Sequence, residues 1–418
     1  MDTVLSRNYR EIKKGVSFGF LFDPIFYLVL CVFVGEASLS NFGLPIKFSS
    51  SVFYFFLIIS ILLLYFNSHK YKFSFKLNSV FLFYLYLIFR NLTINPTKIE
   101  LWLLPNILTF ILFAIIFGIN FGKEENNRFI RYTYFFVLLL MILGVGKVVL
   151  LRDIDRLAVF GGPNGYYKFA MLFEAMSFCL FITTKKKKFI FGILVGVALA
   201  LLTGSKGAFV ELAFIIPIEL IYFFYLKGFN IFKILFRLVA ILAILIGLFY
   251  LSWLFLPKDS AIWIAIDRIW GIFGDNFSEL TSVSSRKVML DLSIDYFKEN
   301  PIFGQGGLHM LISTGNEDMP YAHNIFYEML GEQGVVGFVL LVFVLIRELR
   351  CLNKETLYDP MAFSLFLGFL IYFIGAQLSG NILDSKVIFF FVLMHIKRLS
   401  VFKKDNSICQ TIHQKAVL

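Results

Sequence analysis

Stretches of roughly twenty apolar residues follow one another along most of this chain, and that repetition restricts its fold more than any motif does. A helix of that length just crosses a hydrocarbon core about 30 Å thick, and inside lipid each backbone N–H and C=O must be satisfied within the segment. Such runs lie near 16–35, 49–66, 77–93, 101–121, 130–150, 164–184, 188–203, 207–226, 233–256, 323–346, 361–379 and 382–398. They predict an all-α polytopic membrane protein with about 12 transmembrane helices, in a range of 10–12, because several runs are short and Asp23-Pro24 interrupts the first. Residues 1–256 then hold spans one to nine and 257–322 a long helical extracytoplasmic loop. Residues 323–398 hold the last three spans and 399–418 a cytoplasmic tail. Composition agrees, since 59% of the 418 residues are apolar and 16% are charged, outside the range of soluble domains.

Charge fixes the predicted orientation. With the N-terminus inside, the alternating loops collect most of the 39 Lys and Arg residues on the cytoplasmic face, including Lys185 to Lys188, Lys227 and Arg347. Both termini are then cytoplasmic. The net charge of +11 reads as anchoring to membrane lipids of the inner leaflet, and nucleic acid is excluded as a partner. Cys31, Cys179, Cys351 and Cys409 are scattered without a CxxC pair, which argues against a disulfide framework or a zinc site.

A minority of cationic or titratable side chains falls on the other face: Arg152, Arg156, Lys206, Arg286, Lys287 and His323. The connection 257–322 on that face exceeds ordinary loop lengths, a mark of function. Within it, 262–270 carries Trp263 and Trp270 and suits a helix lying in the membrane interface. Ser284 or Ser285 is placed to cap a helix running to about Lys298, with Leu290, Ile294 and Phe297 as its apolar stripe and Asn300-Pro301 as its stop. Arg286 then falls in the first turn, where free amides and the positive dipole end favour a diphosphate. The turn Phe303-Gly304-Gln305-Gly306-Gly307 lacks the strand and helix context of a phosphate loop. It reads as a site of close backbone approach, with phosphate contact as the alternative.

After that loop, Tyr321-Ala322-His323-Asn324 opens a helix marked by Gly331, Gly334 and Gly337. Histidine changes charge near neutrality, so His323 either takes a proton or holds an anion as an imidazolium. Asn324 either caps the helix or binds ligand on the acceptor side, where Asp384 is a second candidate. Asp153-Ile154-Asp155 has the form of a metal-binding DxD, but its neighbours Arg152 and Arg156 favour local ion pairing, and no metal or cofactor is expected. Glu174, Glu211 and Glu219 fall in or beside spans, where a pore or proton relay would use them.

Taken in order, Arg156-Leu157-Ala158-Val159-Phe160-Gly161-Gly162-Pro163-Asn164, Leu202-Thr203-Gly204-Ser205-Lys206-Gly207, Ser284-Ser285-Arg286, Asn300-Pro301-Ile302-Phe303-Gly304-Gln305-Gly306, His323-Asn324, Glu328 and Gly334-Val335-Val336-Gly337 resemble the bacterial O-antigen polymerase and O-antigen ligase superfamily. The resemblance covers about 150–346 and the twelve-span layout. It implies a GT-C-like membrane glycosyltransferase of the bacterial inner membrane, with its active site facing the periplasm or cell exterior. It further implies an undecaprenyl-diphosphate-linked glycan donor, a glycan acceptor, inversion without metal, and a chain-length regulator as partner. The family's functional positions fall on Lys206, Arg286 and His323. The hairpin position is usually Arg in the family; Lys206 offers a point charge instead of a planar fork, which Arg156 or Arg152 is placed to supply. The Gly-Pro-Asn and Gly-Gln-Gly segments favour a polymerase over a ligase. A transporter or flippase of lipid-linked glycans is a third reading, disfavoured by the asymmetric loop and the lack of an inverted hydropathy repeat.

Overall fold

The structure, a computed structural model, describes residues 21–34, 46–70, 78–94, 104–119, 123–151, 162–230, scattered positions of 232–255, 281–307, 309–314, 321–350, 359–379 and 386–399. Arg152, Arg156, Asp153, Asp155, Asp384 and the tryptophan segment 262–270 lie outside the described residues.

Among the described residues the regular elements are helices. In chain order they are α1 (Pro24–Val34), α2 (Ile46–Phe66), α3 (Ser79–Ile94), α4 (Leu104–Gly118), α5 (Lys123–Leu151), α6 (Gly162–Thr184), α7 (Lys188–Leu202), α8 (Lys206–Leu226), α9 (Thr281–Glu299), α10 (His309–Thr314), α11 (Ile325–Arg350), α12 (Pro360–Ser379) and α13 over 386–399. Helical residues also occur within 232–255. Helix therefore appears in each of the twelve apolar runs. Among the described residues five helices are long and apolar enough to cross a membrane: Glu124–Gly146, Asn164–Thr184, Lys206–Leu226, Ile325–Arg347 and Pro360–Leu378. Five shorter apolar helices accompany them, including Ser79–Thr93 and Lys188–Leu202. Helices such as α2 expose Phe55, Ile58, Leu62 and Phe66, a surface suited to lipid contact. The chain is a polytopic membrane protein.

Two compact units divide the fold. The first contains Arg131–Leu280, and α6 lies at its centre with nearly every side chain buried. Gly196 of α7 lets the helices approach until an added Cβ would stand 2.6 Å from the Glu174 Cβ. Glu174 lies against Glu219 of α8, and Lys168 faces Glu211, all four buried within the helix pair.

The second unit contains Ser51–Ile130 and Thr281–Leu418. At one end Asp359 caps α12 by accepting from the Met361 amide at 3.0 Å. Its other oxygen accepts from Arg398 Nε at 2.6 Å, and Arg398 Nη1 donates to Asn127 Oδ1 at 3.0 Å. A buried charge is tolerable only when paired in this way.

Two expectations about α9 need correction. It begins at Thr281, so Ser284 and Ser285 are inside the helix and Arg286 stands in the second turn, not the first. Thr281, Ser282, Ser284 and Ser285 are all capable caps, and nothing local selects among them. The buried stripe is Met289, Ser293 and Tyr296, one residue out of step with Leu290, Ile294 and Phe297; Ile294 is 37% exposed. The cause is a close helix crossing: a Cβ on Gly331 of α11 would meet the Ser293 carbonyl oxygen at 2.9 Å, so the missing side chain at 331 lets α11 cover Ser293. The stop at Asn300-Pro301 is as expected.

Candidate functional site

In the first unit, Lys206 is the first residue of α8, directly after the tight turn Thr203-Gly204-Ser205. Ser205 is the N-cap: its Oγ accepts from the Gly207 amide at 3.2 Å and donates to Asn164 Oδ1 at 2.8 Å. The two upstream motif segments thus meet at Asn164 and Ser205. Glu174, Glu211 and Glu219 sit deeper in α6 and α8, inside the spans where the sequence placed them.

In the second unit, the histidine turn is built by the ends of two helices. Asn324 Oδ1 accepts from the Phe326 and Tyr327 amides at 3.0 and 3.3 Å, capping the start of α11. Asn324 Nδ2 donates to the Gln377 main-chain oxygen at 3.3 Å, satisfying one of the last carbonyls of α12. Both faces of the Asn324 amide are therefore spent on structure. Between these bonds and the helix, His323 is forced to φ 57°, a left-handed conformation unfavourable for a side chain with a Cβ. Strain of this kind persists where surrounding contacts impose it.

His323 packs its ring 4.5 Å from that of Tyr321. Its Nδ1 is buried and has no hydrogen-bond partner among the described residues. Burial pushes the imidazole down to about 4, and the Arg286 charge pushes the same way. Arg286 and His323, from α9 and the turn before α11, thus act on one another, and at neutral pH the imidazole is uncharged. Beneath them Tyr296, Met310 and Ala322 form a small core with Leu290 and Leu292, which fixes α9 against the turn. His309 packs edge-on against Tyr296 at 4.6 Å, a structural placement.

The glycine turn after α9 does something the sequence did not disclose. Helix α11 is broken at Gly334, whose φ of 65° and ψ of −167° fall in a region essentially reserved for glycine. A regular helix would join the amides of Val335 and Val336 to the carbonyls of Gly331 and Glu332. Here those amides bond instead to the carbonyls of Pro301 and Ile302, at 2.9 and 3.2 Å. The released carbonyls accept from the amides of Gln305 and Gly306, at 3.0 and 2.7 Å. The segment Pro301 to Gly306 is spliced into the helix as a strap. The phosphate-contact alternative for this turn is overturned as far as those amides go, because both are consumed by α11. Close backbone approach is real: a Cβ on Gly304 would overlap the Glu332 carbonyl carbon.

Arg90 was missed. Its Nε donates to the Phe303 carbonyl at 3.1 Å and its Nη2 to the Gly304 carbonyl at 2.9 Å, and its guanidinium lies 5.6 Å from the Phe303 ring centroid. Tyr86, one turn earlier on α3, donates from its hydroxyl to the Gln333 carbonyl at 2.9 Å. A signal existed, since Arg90 is the sole charged residue of α3.

A family model described as O-antigen ligase matches residues 189–342. The match supports the O-antigen polymerase and ligase superfamily. No curated protein matches the chain significantly. The superfamily match takes in α7 to α10 and most of α11, and hence Lys206, Arg286, His323, Asn324 and both partners of the strap splice. It indicates an O-antigen ligase-like or polymerase-like activity, a glycosyl transfer carried out by a membrane protein.

Proposed function

We propose that this protein is a polymerase of O-antigen or a related surface polysaccharide, acting at the outer face of the bacterial inner membrane. The reaction moves an undecaprenyl-diphosphate-linked glycan onto a lipid-linked repeat unit. The observation that carries this reading is an uncharged His323, in the turn before α11, within the electrostatic reach of the Arg286 cation on α9. The acceptor hydroxyl oxygen attacks the anomeric carbon from the face opposite the diphosphate. The bond from that carbon to the phosphate oxygen breaks, its electron pair leaves on the diphosphate, and the hydroxyl proton passes to His323. Arg286 neutralises the leaving group as charge develops on it.

A neutral imidazole supports the base role over the imidazolium role. Donor binding reinforces it, because the negative diphosphate offsets Arg286 and lifts the imidazole back toward neutrality, where a base works best. Lys206, Arg152 and Arg156 are proposed as further diphosphate cations and Asp384 as an acceptor-side residue. Asn324 is better read as the cap that fixes His323. A chain-length regulator is the proposed protein partner.

The family description favours a second reading, a ligase that transfers the same glycan to lipid A core. Purified protein incubated with lipid-linked repeat units, with and without core, separates them on a gel. A ladder formed without core supports the polymerase, and a single core adduct the ligase. Arg286→Ala and His323→Ala are expected to abolish either product while the protein still accumulates in the membrane. Wild-type turnover in both variants defeats the site assignment, and substrate movement across vesicles without any new glycosidic bond favours a transporter.

A further inference from the structure

We infer that the Gln377 side chain, at the end of α12, binds the acceptor sugar next to the hydroxyl that His323 deprotonates. This rests on the transferase reading above. Three observations converge on the position. The Gln377 main-chain oxygen is tied to Asn324, the residue that follows His323, so Gln377 and the histidine belong to the same rigid junction of helix ends. Among the described residues the side-chain Nε2 is anchored by a single long bond of 3.4 Å to the Phe373 carbonyl, one turn back on its own helix. The side-chain Oε1 is withdrawn from solvent and has no hydrogen-bond partner among the described residues.

An amide oxygen left in that state is costly, and each such group in a native structure calls for an explanation, a bound partner that completes it among them. The chemistry suits a sugar: a carboxamide accepts from one hydroxyl and donates to another, so vicinal hydroxyls satisfy both of its ends. It is also uncharged, so it orients an acceptor without drawing the diphosphate away from Arg286. The histidine Nδ1 is another buried polar atom of this junction without a partner among the described residues, and in this proposal one acceptor diol serves both.

The geometry makes the test clean, because the structural link uses the Gln377 backbone and survives any side-chain change. Gln377→Leu removes an unsatisfied polar atom, so its thermal midpoint should equal or exceed that of the wild type. Its transfer rate with lipid-linked repeat units should fall roughly tenfold, the worth of one neutral hydrogen bond. The thermal shift induced by the repeat unit should shrink in parallel. Gln377→Asn, one methylene shorter, serves as a second variant with the same chemistry and should recover only part of the rate. Unchanged rate and ligand-induced shift in Gln377→Leu overturn the assignment while leaving the transferase reading intact. So does a loss of rate matched by a loss of thermal stability. A wild-type protein that transfers nothing overturns the transferase reading, and the Gln377 assignment with it.

Discussion

Asn324 and Gln377 join two helices by their opposite ends: the Asn324 amide nitrogen donates to the Gln377 carbonyl of α12 while its oxygen receives the first free amides of α11. The negative end of one helix dipole thereby meets the positive end of another at the residue beside His323. The carboxamide carries its donor and its acceptor on separate atoms, which separates the effects of substituting it.

Asn324→Ser should keep the cap and lose the link, and Asn324→Ala should lose both. The expected order of thermal stability is wild type, then Ser, then Ala, with the cap alone worth about 1 kcal/mol. Transfer activity should already drop in the Ser variant, because the histidine turn is no longer tied to α12. Equal stability of Ser and Ala variants in differential scanning measurements contradicts the double role.

The left-handed backbone at His323 makes a different prediction. His323→Gly removes the strain of a Cβ at φ 57°, worth about 1 kcal/mol, while deleting the imidazole. It should therefore melt no lower than the wild type and transfer no glycan. A His323→Gly protein that unfolds more readily than His323→Ala argues that the turn is not strained.

Acid titration follows from the depressed imidazole. His323 is neutral above about 4, so kcat/KM for the free enzyme should hold from neutrality downward and fall as pH drops through about 4. Stability carries the same sign: the unfolded histidine binds its proton near 6.5, so between 6.5 and about 4 the unfolded state holds more protons. The contribution is complete above 6.5 and is lost as pH falls toward 4. Arg286→Gln lifts one of the two downward influences, and the imidazole should then titrate higher by NMR, although burial keeps it below the ordinary value. An unmoved titration shows that the Arg286 charge does not reach His323.

These relationships differ in how much of them the sequence carries. Apolar runs near twenty residues long announce the spans, because the cost of unsatisfied backbone in lipid leaves helix as the local answer. Asn324 before Ile325 is likewise legible as a cap, since capping spans only a few residues. The position of the α9 stripe was not legible, because Ser293 is buried by Gly331 from another helix and not by its own hydrophobicity. Nor was the strap: Pro301 to Gly306 and Gly331 to Val336 exchange backbone bonds, and backbone bonds leave no side-chain pattern beyond the glycines of the two segments. Gln377 escaped notice for a similar reason, since its role depends on which helix end it meets.

The strap also sets what Arg90 should do. Two main-chain carbonyls of the strap rest on one guanidinium, and the strap in turn supplies the bonds that α11 loses at Gly334. Releasing Phe303 and Gly304 should loosen the junction between the α9 segment bearing Arg286 and the helix that follows His323. Arg90→Lys keeps the charge but not the fork, so it should recover little of what Arg90→Ala loses, about 1–2 kcal/mol for hydrogen bonds from a partly exposed charged donor. Amide hydrogen exchange is the sharper readout: Val335 and Val336 should exchange faster in both variants, while amides at the buried start of α12 stay protected. If their exchange is unchanged, the strap holds itself in α11 without Arg90, and Tyr86, through its bond to the Gln333 carbonyl, becomes the residue that fixes the break.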